Sequence, residues 1–331
     1  MSEAMTDEAA HTLRRLWFAF LEEIAPARPR LHAYCLRLTG SIFDAEDLVQ
    51  ESLIRAFGAI GQGDLAGGPG PTKNVRAYLS RIATNIWIDT QRRAKREAAA
   101  NSLMTAEAAR DPAVVTPAAG AALFERAAPQ ERAAVVLKDV FDFSLEEIAT
   151  ILSTSPGAVK SALARGRGKL AEKRSRAARV RGTPASAELV DRFCAAVNAR
   201  DVKALTALLT EDVAYEARGV GGETGRDAIW IAVNMTRPRE EVTFERHVIE
   251  GQPVSVGVHT SRSGRRFVAG VSRFEEAEGQ IARHVGYYFC PETLVLVGEA
   301  LGMEAANHGY HQTPDVLERM IGGARLPWNG L

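Results

Sequence analysis

The chain has 331 residues, 46% hydrophobic and 25% charged, with 41 basic side chains balancing 41 acidic ones. That apolar fraction is ordinary for folded protein and too high for a disordered chain, and at about 100–200 residues per domain the length predicts two or three domains. No apolar run approaches the roughly 18–20 residues that span a bilayer, and the N-terminus lacks a basic stretch followed by an apolar one. Cys35, Cys194 and Cys290 form no C-x-x-C pair. The composition therefore excludes membrane-spanning, secreted and cysteine-zinc classes, and fits a reducing cytoplasm.

The zero net charge hides an asymmetry. Residues 1–183 carry 26 basic and 21 acidic side chains, and residues 184–331 carry 15 and 20. Ser155–Arg181 holds nine basic residues and one acid, and Arg76–Arg96 holds six and one. Ser41–Arg55 reverses the sign, with four acids and one base. Two basic blocks in one half make nucleic acid a candidate partner, against the plain alternative of solvated helix faces.

In chain order, DAEDLVQESLIRAF (44–57) places Ala45, Leu48, Val49, Leu53, Ile54 and Phe57 at helical spacing, with Asp44, Asp47 and Glu51 on the other side. GQGDLAGGPGPTK (61–73) reads as a loop. In VRAYLSRIATNIWIDTQRR (75–93), Leu79, Ile82, Ala83 and Ile86 form an apolar stripe, and Arg76, Arg81, Asn85, Asp89 and Arg92 lie off it. Residues 97–122 are Ala-rich with Pro112 and Pro117, and read as a flexible linker. A break at Arg181–Pro184 then leaves helical segments 10–96 and 123–181 and a C-terminal segment 184–331.

Ser144–Leu170 carries the most information. Ser144 with Glu147 three residues later is a capping box, and Leu145, Ile148, Ala149 and Leu152 bury the helix it opens. Ser155 caps a second helix with Pro156 at its first position, where a missing N–H costs nothing. Val159 and Leu163 bury that helix, leaving Lys160, Ser161, Ala164, Arg165 and Arg167 outward. Short side chains there permit close approach to DNA, and Lys and Arg reach guanine edges and phosphates, as in a helix-turn-helix recognition helix.

This stretch, with APQERAAVVLKDVFDFSLEEIA before it, resembles region 4 of the extracytoplasmic-function (ECF) sigma factors of the sigma-70 family, and the 44–57 and 75–93 segments resemble region 2. The sequence departs at Ser153, where the family often has Gly in the turn, and at Ala162, where a basic residue is frequent. The resemblance implies two all-helical domains that bind core RNA polymerase, through its β′ clamp and β flap, and promoter DNA. Asp44, Asp47, Gln50 and Glu51 would dock on the clamp helices. Arg76, Arg81, Asn85, Arg92 and Arg93 would hold the −10 element, where cations meet phosphates and Asn85 meets an unstacked base. Ser155, Lys160, Ser161, Ala164, Arg165 and Arg167 would read the −35 element. Tyr78 and Trp87 read as core residues ahead of stacking platforms.

From residue 185 two helices (185–199, 202–209) precede alternating runs at 213–217, 242–250, 254–259, 266–274 and 280–289, the pattern of an α+β domain with an antiparallel sheet. ELVDRFCAAVNARDVKALTALLTEDVAYEARG resembles the opening of a SnoaL-like domain, the cone-shaped fold shared with ketosteroid isomerases, and GVGGETGRDAIW its Gly-rich turn and third helix. FCPETL (289–294) stands where such sigma factors carry an Asn-Pro-Asp-Lys-Leu-like motif, with Pro291, Glu292 and Leu294 retained as regulatory candidates.

Tyr215, Glu216, His247 and His259 are the pocket candidates, and alternation sends Tyr215 and Glu216 to opposite faces. No catalytic residue, metal or cofactor is assigned; His308 and His311 lack a third ligand, and the tail 298–331 reads as an arm packing back on the body. The preferred reading of the C-terminal module is regulation in cis, since an acidic module tethered to a basic one should associate with it. The alternatives are a stand-alone DNA-binding regulator and a sensor whose cone binds or turns over a small molecule.

Overall fold

The computed structural model describes residues 16–17, 19–61, 71–101, 128–141, 143–170, 183–218, 221–225 and 242–305. Helix α1 (Arg28–Thr39) ends at Gly40, whose φ of 79° is cheap only for glycine and turns the chain into Ser41. Helix α2 (Ile42–Gly61) and helix α3 (Pro71–Asn101) follow. The apolar stripe of α3 (Leu79, Ala83, Ile86) meets Leu31 and Leu38 of α1 and Val49 and Leu53 of α2 in one core.

Both helices outrun the sequence expectation. Pro71 opens α3 inside the stretch read as a loop, because proline at a first helical position forfeits no hydrogen bond. At its far end α3 continues to Asn101, past the expected start of the linker at 97. Residues 102–127 lie outside the described residues, as does the basic run 171–182.

Helix α4 (Pro129–Val135) widens into one turn of π-helix over Val136–Val140. Helices α5 (Leu145–Ile151) and α6 (Pro156–Leu170) then form the helix-turn-helix. Val135 of α4, Leu137 of the π-turn, Ile148 of α5 and Val159 of α6 belong to the same core as α1–α3. The two helical segments are thus packed together, with Arg132 reaching the Arg37 carbonyl and lying 5.5 Å over the Trp87 ring.

Gly166 of α6 packs closely on α4: a Cβ there would lie 2.7 Å from Val135 Cγ2 and 3.1 Å from the Glu131 carbonyl oxygen. Overpacking costs about 1–3 kcal/mol, against the roughly 1 kcal/mol that alanine gains over glycine in a helix. Gly166→Ala is therefore expected to lower the urea midpoint. Gly157→Ala in the same helix, whose nearest neighbour is 3.9 Å away, should leave it level or raise it.

In the C-terminal part, α7 (Ala187–Asn198) and α8 (Val202–Ala207) precede a sheet with seven strands among the described residues. Its order is β2 (Gly221–Thr224), β1 (Leu209–Ala217), β6 (Gln280–Gly286), β5 (Arg266–Ala277), β4 (Gln252–Thr260), β3 (Val242–Ile249), with β7 (Glu304–Ala305) beside β5. The pairing is antiparallel except β1–β6 and β5–β7. Expected residues 208–209 leave the helix because Leu209 already pairs with Ile281.

Helix α7 covers one face of the sheet, packing the Phe193 ring against Phe274 with centroids 4.5 Å apart and the planes tilted by 52°. The other face is built from Val254, Val256, Val271 and Val285, and two elements cover it. One is α9 (Pro291–Leu301), through Leu294 and Val297; the other is the start of α2, through Ile42 and Phe43. Ile42 and Phe43, at 1% and 0% exposure, are core residues of a sheet more than 200 residues away. The tail expected as an arm begins with the end of α9 and β7, and its remainder lies outside the described residues.

Candidate functional site

The helix-turn-helix is built as its local signals predict. Ser144 Oγ accepts from the Glu147 N–H at 3.1 Å and the Glu147 carboxylate accepts from the Ser144 N–H at 2.8 Å. Ser155 Oγ accepts from the Ala158 N–H at 3.2 Å, opening α6. Ser153 carries φ 51°, the left-handed turn position that explains why glycine suits it. Val159, Leu163 and Ala162 are buried, while Ser155, Lys160, Ser161, Ala164, Arg165 and Arg167 are exposed. Two of those cations are engaged within the segment, Arg165 with Glu131 and Arg167 with Asp139.

On α3, Asn85, Arg92 and Arg93 are exposed, and Asn85 and Arg92 share a face with Asp89 and Arg96 at helical spacing. Arg81 is half-buried over the Tyr78 ring, and Trp87 lies in the core. Arg76, expected on the DNA side, instead donates to the Phe141 carbonyl and lies 4.2 Å over the Phe143 ring. Its cation is occupied in joining α3 to the helix-turn-helix segment.

The acidic side of α2 departs furthest from expectation. Among its four expected docking residues, Gln50 is buried and donates to Glu46 at 2.6 Å, and Glu51 pairs with Arg55 of its own helix. Asp47 faces the C-terminal domain, 3.0 Å from Arg218 and 3.4 Å from the Tyr287 hydroxyl, and Asp44 is half-buried beside it. Arg273 lies 4.8 Å over the Phe43 ring and donates to the Tyr287 oxygen.

Beside this seam stands Glu46, fully buried and legible in the sequence only as one acid among four. Arg28 donates to it at 2.6 Å, Thr293 of α9 donates at 3.1 Å, and His32 lies 3.6 Å away. Arg28 also pairs with Glu292. Burial alone would raise the Glu46 carboxyl; Arg28, His32, Gln50 and Thr293 bring it below its ordinary value. Pro291 starts α9, Glu292 meets Arg28, and Leu294 shares a core with Ile42 and Phe43, so the last two of the three regulatory candidates stand at the seam. Glu250, in the β3–β4 turn, accepts from Ser41 Oγ and the Ile42 N–H, each at 2.7 Å.

The charges that meet across the seam are of both senses: Asp47 of the basic half faces Arg218 and Arg273 of the acidic half, whereas Arg28 of the basic half pairs with Glu292 of the acidic half.

On the α7 face, Tyr215 stands edge-on to His284 at 5.0 Å, while Glu216 turns away to Arg218 and Arg283. His247 pairs with Glu245, and His259 lies 6.2 Å from Phe267. The histidine that does stand beside Tyr215 is His284, whose Nε2 is 2.9 Å from Ser272 Oγ and 3.3 Å from the Tyr288 hydroxyl. The alternation His284–Gly286–Tyr288 was the available signal for it. Cys35, Cys194 and Cys290 are buried thiols, and burial pushes each up. Among the described residues no helix is long and apolar enough to cross a membrane, and no acid–His–Cys group is placed to hold a metal ion.

Family models for sigma-70 region 2, sigma-70 region 4 and a SnoaL-like domain match residues 24–97, 128–170 and 190–284. The chain is 31% identical over 230 residues to the ECF RNA polymerase sigma factor SigG of Mycobacterium tuberculosis, covering 60% of each chain. It is 31% identical over 153 residues to EcfG of Rhodopseudomonas palustris, another ECF RNA polymerase sigma factor, covering 45% of this chain and 81% of that one. The crystal structure of the M. tuberculosis ECF sigma factor SigJ aligns over 81% of this chain and 95% of its own, at 20% identity and a TM-score of 0.31.

Proposed function

The chain belongs to the ECF RNA polymerase sigma factors, and from that premise we propose that it binds core polymerase in the cytoplasm and directs promoter-specific initiation, restrained in cis by its SnoaL-like domain. The observation that carries the restraint is the occupied face of α2. Asp47 is held by Arg218 and Tyr287, Gln50 is buried, and Ile42 and Phe43 serve the sheet of the C-terminal domain. A polymerase clamp seeking those acids meets arginines already in place.

In the active state, Asp44, Asp47, Gln50 and Glu51 take the β′ clamp and the region 4 segment takes the β flap. Arg81, Asn85, Arg92 and Arg93 hold the melted −10 strand, joined by Arg76 once it leaves Phe141. Ser155, Lys160, Ser161, Ala164, Arg165 and Arg167 face the −35 groove. None of this work is catalytic; the protein lends sequence specificity to an enzyme. Pro291, Glu292 and Leu294 act as the regulatory hinge of the restraint.

Arg218→Glu in the full-length protein tests this. Repulsion from Asp47 and Glu216 should open the seam and raise core-polymerase affinity by about tenfold, near 1.4 kcal/mol, with more initiation on a randomised promoter library. Affinity unchanged or lowered removes the restraint. Absence of polymerase binding by both proteins, with DNA binding intact, promotes the stand-alone regulator instead.

A further inference from the structure

Two glycines on the α7 face of the sheet form a trough that one tyrosine fills. A Cβ on Gly270 would lie 2.5 Å from the Tyr288 ring, and one on Gly286 would lie 2.2 Å from it, so any side chain at either position collides with that ring. Neither glycine has a positive φ, so space rather than backbone conformation is what calls for glycine here. At the end of the trough the tyrosine hydroxyl meets Ser272 Oγ at 2.7 Å and His284 Nε2 at 3.3 Å. Ser272 is 1% and His284 5% exposed, and burial lowers the imidazole to about 3, which keeps it neutral as a hydrogen-bond partner. Tyr215, Phe193 and Phe274 crowd the imidazole from three sides. Tyr288 itself is only half-buried, at the turn after β6.

Its neighbour Tyr287 goes through to the other face. There it is fully buried, 5.1 Å from the Phe43 ring and 3.4 Å from Asp47. Two consecutive residues therefore hold the trough and the α2 seam, and one backbone unit serves both.

We propose that the Gly270–Gly286 trough is a receptor for a small planar phenol, which displaces Tyr288 and, through the chain shared with Tyr287, loosens the grip on Phe43 and Asp47. The flat glycine floor selects an aromatic ring and the Ser272–His284 pair selects its hydroxyl. The coupling half of this proposal rests on the restraint in cis; the binding half does not.

The probe is p-cresol, the tyrosine side chain cut at Cβ, titrated into full-length wild type, Tyr288→Ala and Tyr288→Phe by calorimetry, with amide exchange of residues 42–47 read in the same samples. Tyr288→Ala should bind one equivalent at least tenfold more tightly than wild type, which must first expel its own ring, and should bind toluene at least tenfold more weakly than p-cresol. Tyr288→Phe, which gives up the hydroxyl but keeps the ring, should fall between. Exchange at 42–47 should accelerate severalfold in Tyr288→Ala and in p-cresol-saturated wild type. No saturable binding by any of the three proteins, or equal binding of toluene, overturns the site. Binding with exchange at 42–47 unchanged overturns the coupling. Fast exchange at 42–47 already in unliganded wild type strikes instead at the restraint in cis, and leaves the titration to judge the trough.

Discussion

Exchanging Arg28 for methionine is expected to lower the unfolding free energy by about 3–5 kcal/mol, because it strands a buried carboxylate. Arg28 and Glu46 are 2% and 0% exposed, and Arg28 also meets Glu292, so it ties α1, α2 and α9 at one point. Thr293 and Gln50 continue to donate to Glu46, but neither supplies charge. Pairing the change with Glu46→Gln removes the stranded charge and should recover most of the loss. Urea unfolding of wild type, both single variants and the double variant closes the cycle. A single-variant loss below about 1 kcal/mol would mean that water already reaches Glu46.

Acid should weaken the fold through two histidines. Burial, aided by Arg28 and opposed by Glu46, lowers His32 to about 4, and burial lowers His284 to about 3. In the unfolded chain both sit near about 6.5. Between those values the unfolded state binds protons that the native state refuses, so stability is full above pH 6.5 and falls as the pH drops toward the folded values. By pH 4.5 each histidine removes about 2–3 kcal/mol. Glu250, raised by burial at the seam, contributes with the opposite sign, so total stability alone is an ambiguous readout. The clean quantity is the pH 7 to pH 4.5 difference in wild type minus that in His32→Gln or His284→Gln. Identical slopes in wild type and variant would overturn the assignment for that histidine.

Legibility in the sequence followed the range of the interaction. The helix-turn-helix was readable almost atom by atom, because capping boxes, a proline at a first helical position and i, i+4 burial are signals spanning four residues. The strand Gly221–Thr224 was not, since glycines carry no alternation; only its pairing with β1 makes it a strand. Helix α9 was visible as the motif around Pro291 but not as a helix. The seam was least visible of all. Glu46 and Thr293 are 247 residues apart, and nothing near either announces the other. Whole-domain charge suggested association, but it could not show that arginines of the acidic module meet acids of the basic one. Tyr288 and its two glycines escaped for the same reason, being a fit between surfaces that one strand's pattern does not record.

The carboxylate of Glu250 accepts hydrogen bonds from the first amide of α2 and from the Ser41 hydroxyl, whose oxygen in turn accepts from the Asp44 amide. Helix N-termini carry partial positive charge, so this is an anion seated where an anion is wanted. A helix that offers its opening turn to one domain has an acceptor to replace when that domain leaves. In the initiation role proposed above, whatever takes α2, water or a side chain of the clamp, would inherit the donor at Ile42. Under the proposed restraint, its exchange for polymerase would therefore be a ligand substitution at a helix terminus as well as the parting of two surfaces.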